Sequence, residues 1–300
     1  MSLYVMSAAP SRKDDWRAWD MSRGIQNWTE ELIARRIREG YGDGEGPNYK
    51  PWISTATFSS RGRIHRAYSE RFGRTIELVS DVEWNTFVLL EWCRSVKQLY
   101  ESFPLPRETT LEIASALGIR HPYYPGTNIP AVMTVDMMVI MEIDGETRHV
   151  AYDCKRTEDA EKEWVIEKLQ IVRKFFAGCD IAHHLVFHSA LPMQKVRNIE
   201  YFRGAIWKPG QIEPTREVLR EVADLMTYEL TGSTRTISLA DYCSGFEQRH
   251  GLTPGLGLRV ARILLWEQTL RCDLNTPRLE NAPLSSFICE GPALSRASGL

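Results

Sequence analysis

The chain has 300 residues, 43% of them hydrophobic and 25% charged, and a formal net charge of −2 at pH 7. This composition predicts a globular protein with one large or two ordinary domains, and it excludes a disordered or strongly cationic chain. We expect a cytoplasmic protein without a membrane partner, because no apolar run approaches the roughly 18 residues that span a bilayer and the N-terminus lacks a signal-peptide core. The six cysteines form no C-x-x-C pair, which argues against a zinc site or a disulfide framework.

The first predicted helix follows an N-terminal arm, residues 1–26, that shows no clear periodicity. The helix is capped by Asn27 or Thr29, carries arginines towards its end and is followed by Gly40. Further along, alternation of residue types across 64–68 predicts a strand, with Gly73 in the turn after it.

Residues 59–75 contain five arginines and one glutamate. Because the whole chain has no cationic field, a nucleic-acid partner requires such a local basic patch. Guanidinium groups match phosphate geometry, so the segment is a candidate DNA-contacting surface. A solvated charged face is the alternative, and the sequence leaves both open. The candidate residues are Arg61, Arg63, Arg66, Arg71 and Arg74.

The next predicted helix begins after Ser80, and Ser80 and Glu83 have the spacing of a capping box. Glu83 also shares a helix face with Phe87, and a carboxylate on an apolar face needs a partner. Glu83 is therefore either a helix cap or a candidate site residue. A connecting strand over 95–105 and a short helix over 107–120 are predicted to follow.

A β-hairpin is predicted in the middle of the chain. Residues 132–143 form an almost unbroken apolar run, typical of a buried strand, with Asp136 inside it. Asp144-Gly145 is the strongest short signal for a type I′ turn, and an alternating run over 149–155 returns from it.

The register of this hairpin brings charged residues together. With Asp144 and Gly145 as the loop, Asp136 lies opposite Asp153, and both point the same way as Lys155. Two buried carboxylates roughly 5 Å apart repel each other, so a counter-charge is needed. Magnesium or manganese suits such oxygen ligands, and Lys155 could orient or deprotonate a water, as in a metal-dependent phosphodiesterase. A structural ion pair between Lys155 and one aspartate is the alternative.

An amphipathic helix over 158–176 and a buried strand over 182–187 complete the predicted first domain. The order of elements predicts a mixed α/β sheet flanked by helices. His183, His184 and His188 lie around the last strand, where core or rim positions are favoured over metal ligation.

The sheet-forming pattern stops near Leu191-Pro192, where we place a domain boundary. Three amphipathic helices are predicted over 215–230, 238–250 and 253–271. The third leaves Arg259, Arg262 and Arg271 on its outer face. A helix-turn-helix or winged-helix module fits these elements, and plain helical packing explains them equally well.

Several motifs occur in an order that closely resembles TnsA, the endonuclease family of heteromeric cut-and-paste transposases. The motifs are IARRIREGYGDGEGPNYKPWI, FSSRGRIHRAYSE, ELVSDVEWNTFVLLEW, ESFPL, IRHP and VMTVDMMV. The resemblance implies a restriction-endonuclease-like fold of the PD-(D/E)xK type over 27–190. It further implies a smaller helical, winged-helix-like domain over 191–290, with a tail over 291–300.

The resemblance also assigns roles to site residues. It implies cleavage at the 5′ ends of a transposon with one or two Mg²⁺ ions, for which Mn²⁺ can substitute. Glu83, Asp136 and Lys155 match the catalytic acid, the central-strand aspartate and the lysine of the family. Asp153 occupies a ligand position at which a glutamine is known in TnsA. The backbone carbonyl of Cys154 is a further expected ligand. Val135 stands where a proline is usual.

The partners implied are double-stranded DNA at transposon ends, a TnsB-type transposase and a TnsC-type AAA+ ATPase that meets the C-terminal domain. A bacterial cytoplasmic protein, associated with the nucleoid during transposition, is expected. Two alternatives are a stand-alone restriction-type endonuclease and a non-catalytic DNA-bound adaptor that keeps the fold.

Overall fold

The computed structural model describes residues 28–55, 63–231 and 236–289. The chain divides into two compact units between Leu191 and Pro192. The predicted N-terminal arm, Arg61 and the C-terminal tail lie outside the described residues. Among the described residues, no helix is both long enough and apolar enough to cross a membrane.

The helices and strands of the first unit follow the predicted order, with one additional strand over Arg74–Leu78 that was not predicted. They are α1 (Glu30–Arg38), β1 (His65–Ser69), β2 (Arg74–Leu78), α2 (Asp81–Trp92), β3 (Val96–Pro104), α3 (Arg107–Leu117), β4 (Thr134–Ile143), β5 (Glu146–Lys155), α4 (Thr157–Ala160), α5 (Glu163–Gly178) and β6 (Ala182–Phe187).

The second unit is mostly helical. It contains α6 (Met193–Arg203), α7 (Arg216–Leu230), α8 (Leu239–His250), α9 (Leu256–Trp266), β7 (Leu270–Arg271) and β8 (Ile288–Cys289).

Local signals position the first elements. Of the two predicted caps of α1, Thr29 is the one used: its hydroxyl accepts from the Leu32 amide at 3.1 Å. Strands β1 and β2 form an antiparallel hairpin. In the turn between them Gly73 has a φ of +66°, and a Cβ there would lie 2.9 Å from Pro47 Cγ, so only glycine fits.

The central sheet has the strand order β3-β4-β5-β6. Its first two pairings are antiparallel and the β5–β6 pairing is parallel, so the sheet is mixed as predicted. The β4–β5 register runs from Met137 opposite Tyr152 to Ile143 opposite Glu146, which confirms the predicted register. Asp144 and Gly145 have φ values of 53° and 80°, both positive as a type I′ turn requires.

Helices cover both faces of this sheet. Ile171 and Phe176 of α5 are fully buried in one apolar cluster with Ala151 of β5. On the same strand, the thiol of Cys154 donates to the hydroxyl of Thr86 in α2 at 3.4 Å. Since Ala151 and Cys154 project to opposite sides of a strand, α5 and α2 lie on opposite faces.

Two predictions for the end of the first unit were wrong in detail. The single helix predicted over 158–176 is split into α4 and α5, because residues 157–163 offer only Ala160 as an apolar side chain and packing begins at Val165. Strand β6 has the predicted bounds but is not buried. It forms an edge of the sheet, and Leu185 is 36% exposed.

The second unit confirms a helical C-terminal region, but helix α6 was not predicted. The third predicted helix, α9, begins at Leu256 after Gly255 instead of at Thr253-Pro254, and it ends at Trp266 instead of Arg271. Gln268, just beyond it, has a left-handed φ of 58°, which ends the helical geometry. The short antiparallel pair β7–β8 follows and was not predicted, since two-residue strands carry no readable periodicity.

A buried ion pair ties the β1–β2 hairpin to the central sheet. Arg74 of β2 donates to both carboxylate oxygens of Glu101 in β3, at 2.7 and 2.6 Å, and to the carbonyl of Leu99 at 2.7 Å. The side chains of Arg74 and Glu101 are 7% and 1% exposed. Removing one partner would leave the other charge buried and uncompensated.

We expect Arg74→Ala to lower the free energy of unfolding by about 3–5 kcal/mol, because Glu101 would lose its counter-charge. The matched control is Arg66→Ala on the same hairpin. Arg66 is 62% exposed and pairs with Glu77 at 3.1 Å, so its loss should cost below about 1 kcal/mol. Urea unfolding followed by circular dichroism measures both, and equal effects would contradict the structural role of Arg74.

Candidate active site

The hairpin β4–β5 gathers two predicted carboxylates and one predicted backbone carbonyl around the ammonium group of Lys155. The Nζ atom of Lys155 lies 2.8 Å from Asp136 Oδ2 and 3.5 Å from Asp153 Oδ1. It also donates to the backbone carbonyl of Cys154 at 3.0 Å. Asp136 Oδ2 further accepts from the amide of Cys154 at 2.7 Å. The four predicted groups of this hairpin therefore converge.

Glu83 fulfils both descriptions that the sequence left open. Its two carboxylate oxygens accept from the Ser80 hydroxyl at 2.8 Å and from the Val79 amide at 3.0 Å, while the Ser80 hydroxyl accepts from the Glu83 amide at 3.2 Å. This is the predicted capping box of α2. Glu83 is also buried beside the aspartates: burial and the charge of Asp136 raise its pKa to about 7. The cap holds the carboxylate at the site.

The charges of the site are mutually dependent. Burial lowers the pKa of Lys155, but Asp136 and Asp153 outweigh it, so the net pKa is raised and the amine stays protonated. Burial acts to raise the pKa of Asp153, yet the charge of Lys155 and a hydrogen bond from His183 keep it below its usual value. Asp153 and Lys155 thus favour each other's ionised forms.

Two further residues lie at the site. The sequence favoured a core or rim position for His183 but did not indicate its contact with Asp153, and it gave no signal for Lys168. His183 of β6 lies with Nε2 2.9 Å from Asp153 Oδ2, and its side chain is 8% exposed. Lys168 of α5 interacts electrostatically with Asp153 and Asp136, and burial together with the charge of Lys155 lowers its pKa. His183 is brought to the site by the parallel pairing of β6 with β5, which no local pattern indicates.

The donor groups fit a hard divalent cation in their chemistry. They are carboxylate and carbonyl oxygens, which magnesium and manganese prefer. Burial first, and the charge of Asp136 second, raise the pKa of Glu83, so a cation near this carboxylate would favour its ionised form. Within the described part of the chain, no three His, Cys, Asp or Glu side chains already form a metal-binding cluster. The Lys155 ammonium is the cation that the oxygens contact.

The structure corrects part of the predicted DNA-contacting set. Arg74 is withdrawn, because its guanidinium is buried against Glu101. Arg71 is withdrawn because it donates to the carbonyls of Glu91, Arg94 and Val96, at the end of α2 and the start of β3.

Two of the predicted arginines stay available. Arg63 and Arg66 are exposed. Within the described residues, the ion pair of Arg66 is with Glu77 of the same hairpin. Surface ion pairs of this kind are weak and exchange partners readily, so they do not preclude phosphate contact.

The raised pKa of Glu83 predicts a pH dependence of stability. Its usual value is 4.5, and in the folded chain it is about 7. The folded state therefore binds a proton more tightly, so this contribution is complete below pH 4.5 and is lost as the pH rises through 7. We expect the stability of the metal-free wild type, relative to Glu83→Gln, to fall by about 3 kcal/mol over this range.

Urea unfolding in a chelator between about pH 5 and about pH 8 measures this difference. Glu146→Gln is the control, because the Glu146 side chain is 72% exposed. A wild type and a Glu83→Gln variant that change in parallel with pH would contradict the burial of an ionisable Glu83.

Comparisons with known proteins identify the family of the chain. The family model described as TnsA-like endonuclease N terminal matches residues 93–188, and the one described as TnsA endonuclease C terminal matches residues 191–274. The Escherichia coli protein "Transposon Tn7 transposition protein TnsA" is 32% identical over 210 residues, covering 68% of this chain and 76% of that protein. Hence the chain belongs to the TnsA family, and it is a DNA endonuclease subunit of a transposase with a restriction-endonuclease-like fold.

Proposed function

We propose that this subunit hydrolyses DNA phosphodiesters at the 5′ ends of its transposon and that magnesium is its metal. Glu83, Asp136, Asp153 and the carbonyl of Cys154 would hold one or two ions, and manganese would substitute for magnesium. The observation that carries the proposal is the convergence of Asp136, Asp153 and Cys154 oxygens within 3.5 Å of Lys155 Nζ. Magnesium, when bound, would polarise the scissile phosphate and make a water more acidic.

Lys155 has the protonation state of a hydrogen-bond donor. Burial lowers its pKa, but Asp136 and Asp153 raise it overall, so at neutral pH the amine is a hydrogen-bond donor and is poorly suited to take a proton from water. Its ammonium group is suited instead to contact a phosphate oxygen and to stabilise the negative charge that develops there. Of the two roles considered for Lys155 from the sequence, orientation and charge stabilisation are therefore favoured over deprotonation.

His183 is proposed as the residue that orients Asp153. Its ring lies 5.5 Å from the Phe176 ring in a stacked arrangement, which fixes the imidazole. Nε2 then holds Asp153 Oδ2 at 2.9 Å, and Asp153 Oδ1 is the oxygen that faces Lys155. Partners of this kind fix ligand orientation and support metal affinity.

The expected partners are a TnsB-type transposase and a TnsC-type AAA+ ATPase, with the ATPase at the second unit. The packing of α7 and α8 against α9, followed by the β7–β8 pair, supports a winged-helix-like description of this unit. Arg63 and Arg66 are the proposed DNA contacts of the first unit, and Arg61 is retained as a prediction from the sequence.

Loss of either central charge should abolish cutting. We expect Asp136→Ala and Lys155→Ala to reduce cleavage by at least about 10²–10³-fold, because each removes a group from the reacting centre. The assay uses an end-labelled donor DNA with the partner transposase and ATPase, and it scores 5′ and 3′ nicks separately.

The matched controls for this assay are Asp159→Ala and Lys162→Ala. These residues form an exposed ion pair at 2.6 Å a few positions beyond Lys155. Normal 5′ cleavage by Asp136→Ala or Lys155→Ala, with folding intact by circular dichroism, would overturn the proposed site. Unfolding of both variants would mean that the residues are structural.

Removal of the His183 side chain should weaken metal binding while the chain stays folded. We expect His183→Ala to raise the dissociation constant for Mg²⁺ or Mn²⁺ about 10–100-fold, and His183→Gln, which keeps a donor near Nε2, to restore part of the affinity. Titration calorimetry of the full chain measures this. His184→Ala is the control, because His184 packs against Tyr152 at 5.4 Å instead. Equal affinities for His183→Ala and wild type would contradict the role.

A further inference from the structure

A cleft in the second unit has an unusual charge distribution. It lies between the segment that follows α6 and the first turns of α9, and its volume is about 430 Å³. Its lining contains three cationic side chains and no carboxylate. The lining residues that matter here are Gly204, Lys208, Gln211, Gly255, Arg259 and Arg262. In a chain whose net charge is −2, this is a local concentration of positive charge.

The two arginines are anchored to neutral acceptors. Arg259 donates from Nε to the Ala205 carbonyl at 2.9 Å and from Nη2 to Gln211 Oε1 at 2.7 Å. Arg262 donates from Nε to the Tyr201 carbonyl at 2.9 Å. A guanidinium group carries five N–H donors, so each arginine keeps donors that these contacts leave unused.

No acidic side chain compensates these charges. Burial lowers the pKa of Arg259. Burial also lowers the pKa of Arg262; Tyr201, whose ring lies 4.0 Å from this guanidinium, opposes the shift, and the charge of Arg259 adds to it. The two guanidinium groups thus repel each other, and among the described residues no carboxylate raises the pKa of either. The nearby carboxylate of Glu247 accepts from the Gly257 amide at 2.7 Å.

A purely structural role explains these contacts only in part. Anchoring the segment after α6 to α9 requires hydrogen-bond donors, which a neutral side chain could also supply. Two adjacent half-buried cations cost energy; the Tyr201 ring over Arg262 offsets part of this cost, and an anion in the cleft would offset more of it. Lys208 adds a third positive charge, and Gly255 has no atom within 4 Å of the place where its Cβ would lie, so the approach to α9 is open.

We propose that this cleft binds a phosphodiester group of the DNA backbone and so gives the second unit its own contact with the substrate. Arginine forks, a lysine and glycines that expose backbone are the groups that bind phosphate without reading bases. The contact is independent of sequence, and it adds to affinity without taking part in hydrolysis. It is also independent of the proposed metal ligands, which belong to the first unit.

The salt dependence of DNA binding tests this proposal. The full chain is titrated against a fluorescent duplex in a chelator, so that cutting is prevented, and log Kd is plotted against log salt concentration. Lys208→Ala should weaken binding about fivefold at low salt and reduce the slope by about one, equally for any duplex sequence. Arg262→Gln should also reduce the slope, and Arg262→Lys should restore it.

Arg220→Ala is the matched control, because it removes the same charge from an exposed position of α7 outside the cleft. Equal slopes for Lys208→Ala, Arg220→Ala and wild type would overturn the proposal, as would a wild type that does not bind the duplex at low salt. Two competitors identify other ligands. If inorganic phosphate raises the Tm of wild type but not of Lys208→Ala, and both bind the duplex equally, the ligand of the cleft is a free anion and the proposal is wrong. If Lys208→Ala weakens the binding of poly-L-glutamate but not that of the duplex, the ligand is an acidic protein and the proposal is wrong.

Discussion

One ammonium group between two carboxylates is the interaction on which the catalytic unit depends. Asp136 and Asp153 lie on neighbouring strands, and Lys155 Nζ contacts both, at 2.8 and 3.5 Å. Without this cation, two partly or fully buried carboxylates would repel each other at a cost of several kcal/mol. Glu83, held by the cap of α2, interacts with Asp136, and His183 of β6 contacts Asp153 at 2.9 Å. The remaining residues of the site are therefore arranged around the two aspartates that Lys155 contacts.

Local rules were sufficient for the parts of the site that lie close together in the chain. Asp144-Gly145 determines a two-residue turn, and the alternation of side chains along a strand then places Asp136, Asp153 and Lys155 on one side. The cap at Ser80 and the position of Glu83 likewise follow from a four-residue pattern. The sequence could not decide between a cap and a site residue for Glu83, and in the structure the two roles coincide.

Contacts between distant segments could not be predicted. His183 reaches Asp153 through a parallel pairing, and the sequence does not state which strand pairs with which. The arginines of the β1–β2 hairpin look alike in sequence. Arg74 nevertheless pairs with Glu101, and Arg71 donates to carbonyls at and just beyond the end of α2. Arg63 and Arg66 are exposed at the surface. The fate of each depends on acceptors that come from another part of the chain.

The parallel pairing of β5 with β6 also bears on the order in which the site forms. Strand β6, which carries His183, pairs with β5 but is separated from it in the chain by α4 and α5. Contacts over such separations form late, because the loop-closure entropy must be met first. The β4–β5 hairpin alone can gather Asp136, Asp153 and Lys155, whereas the contact of His183 with Asp153 requires β6 to pair with β5. We therefore expect the contact that orients Asp153 to form after the hairpin that carries this carboxylate.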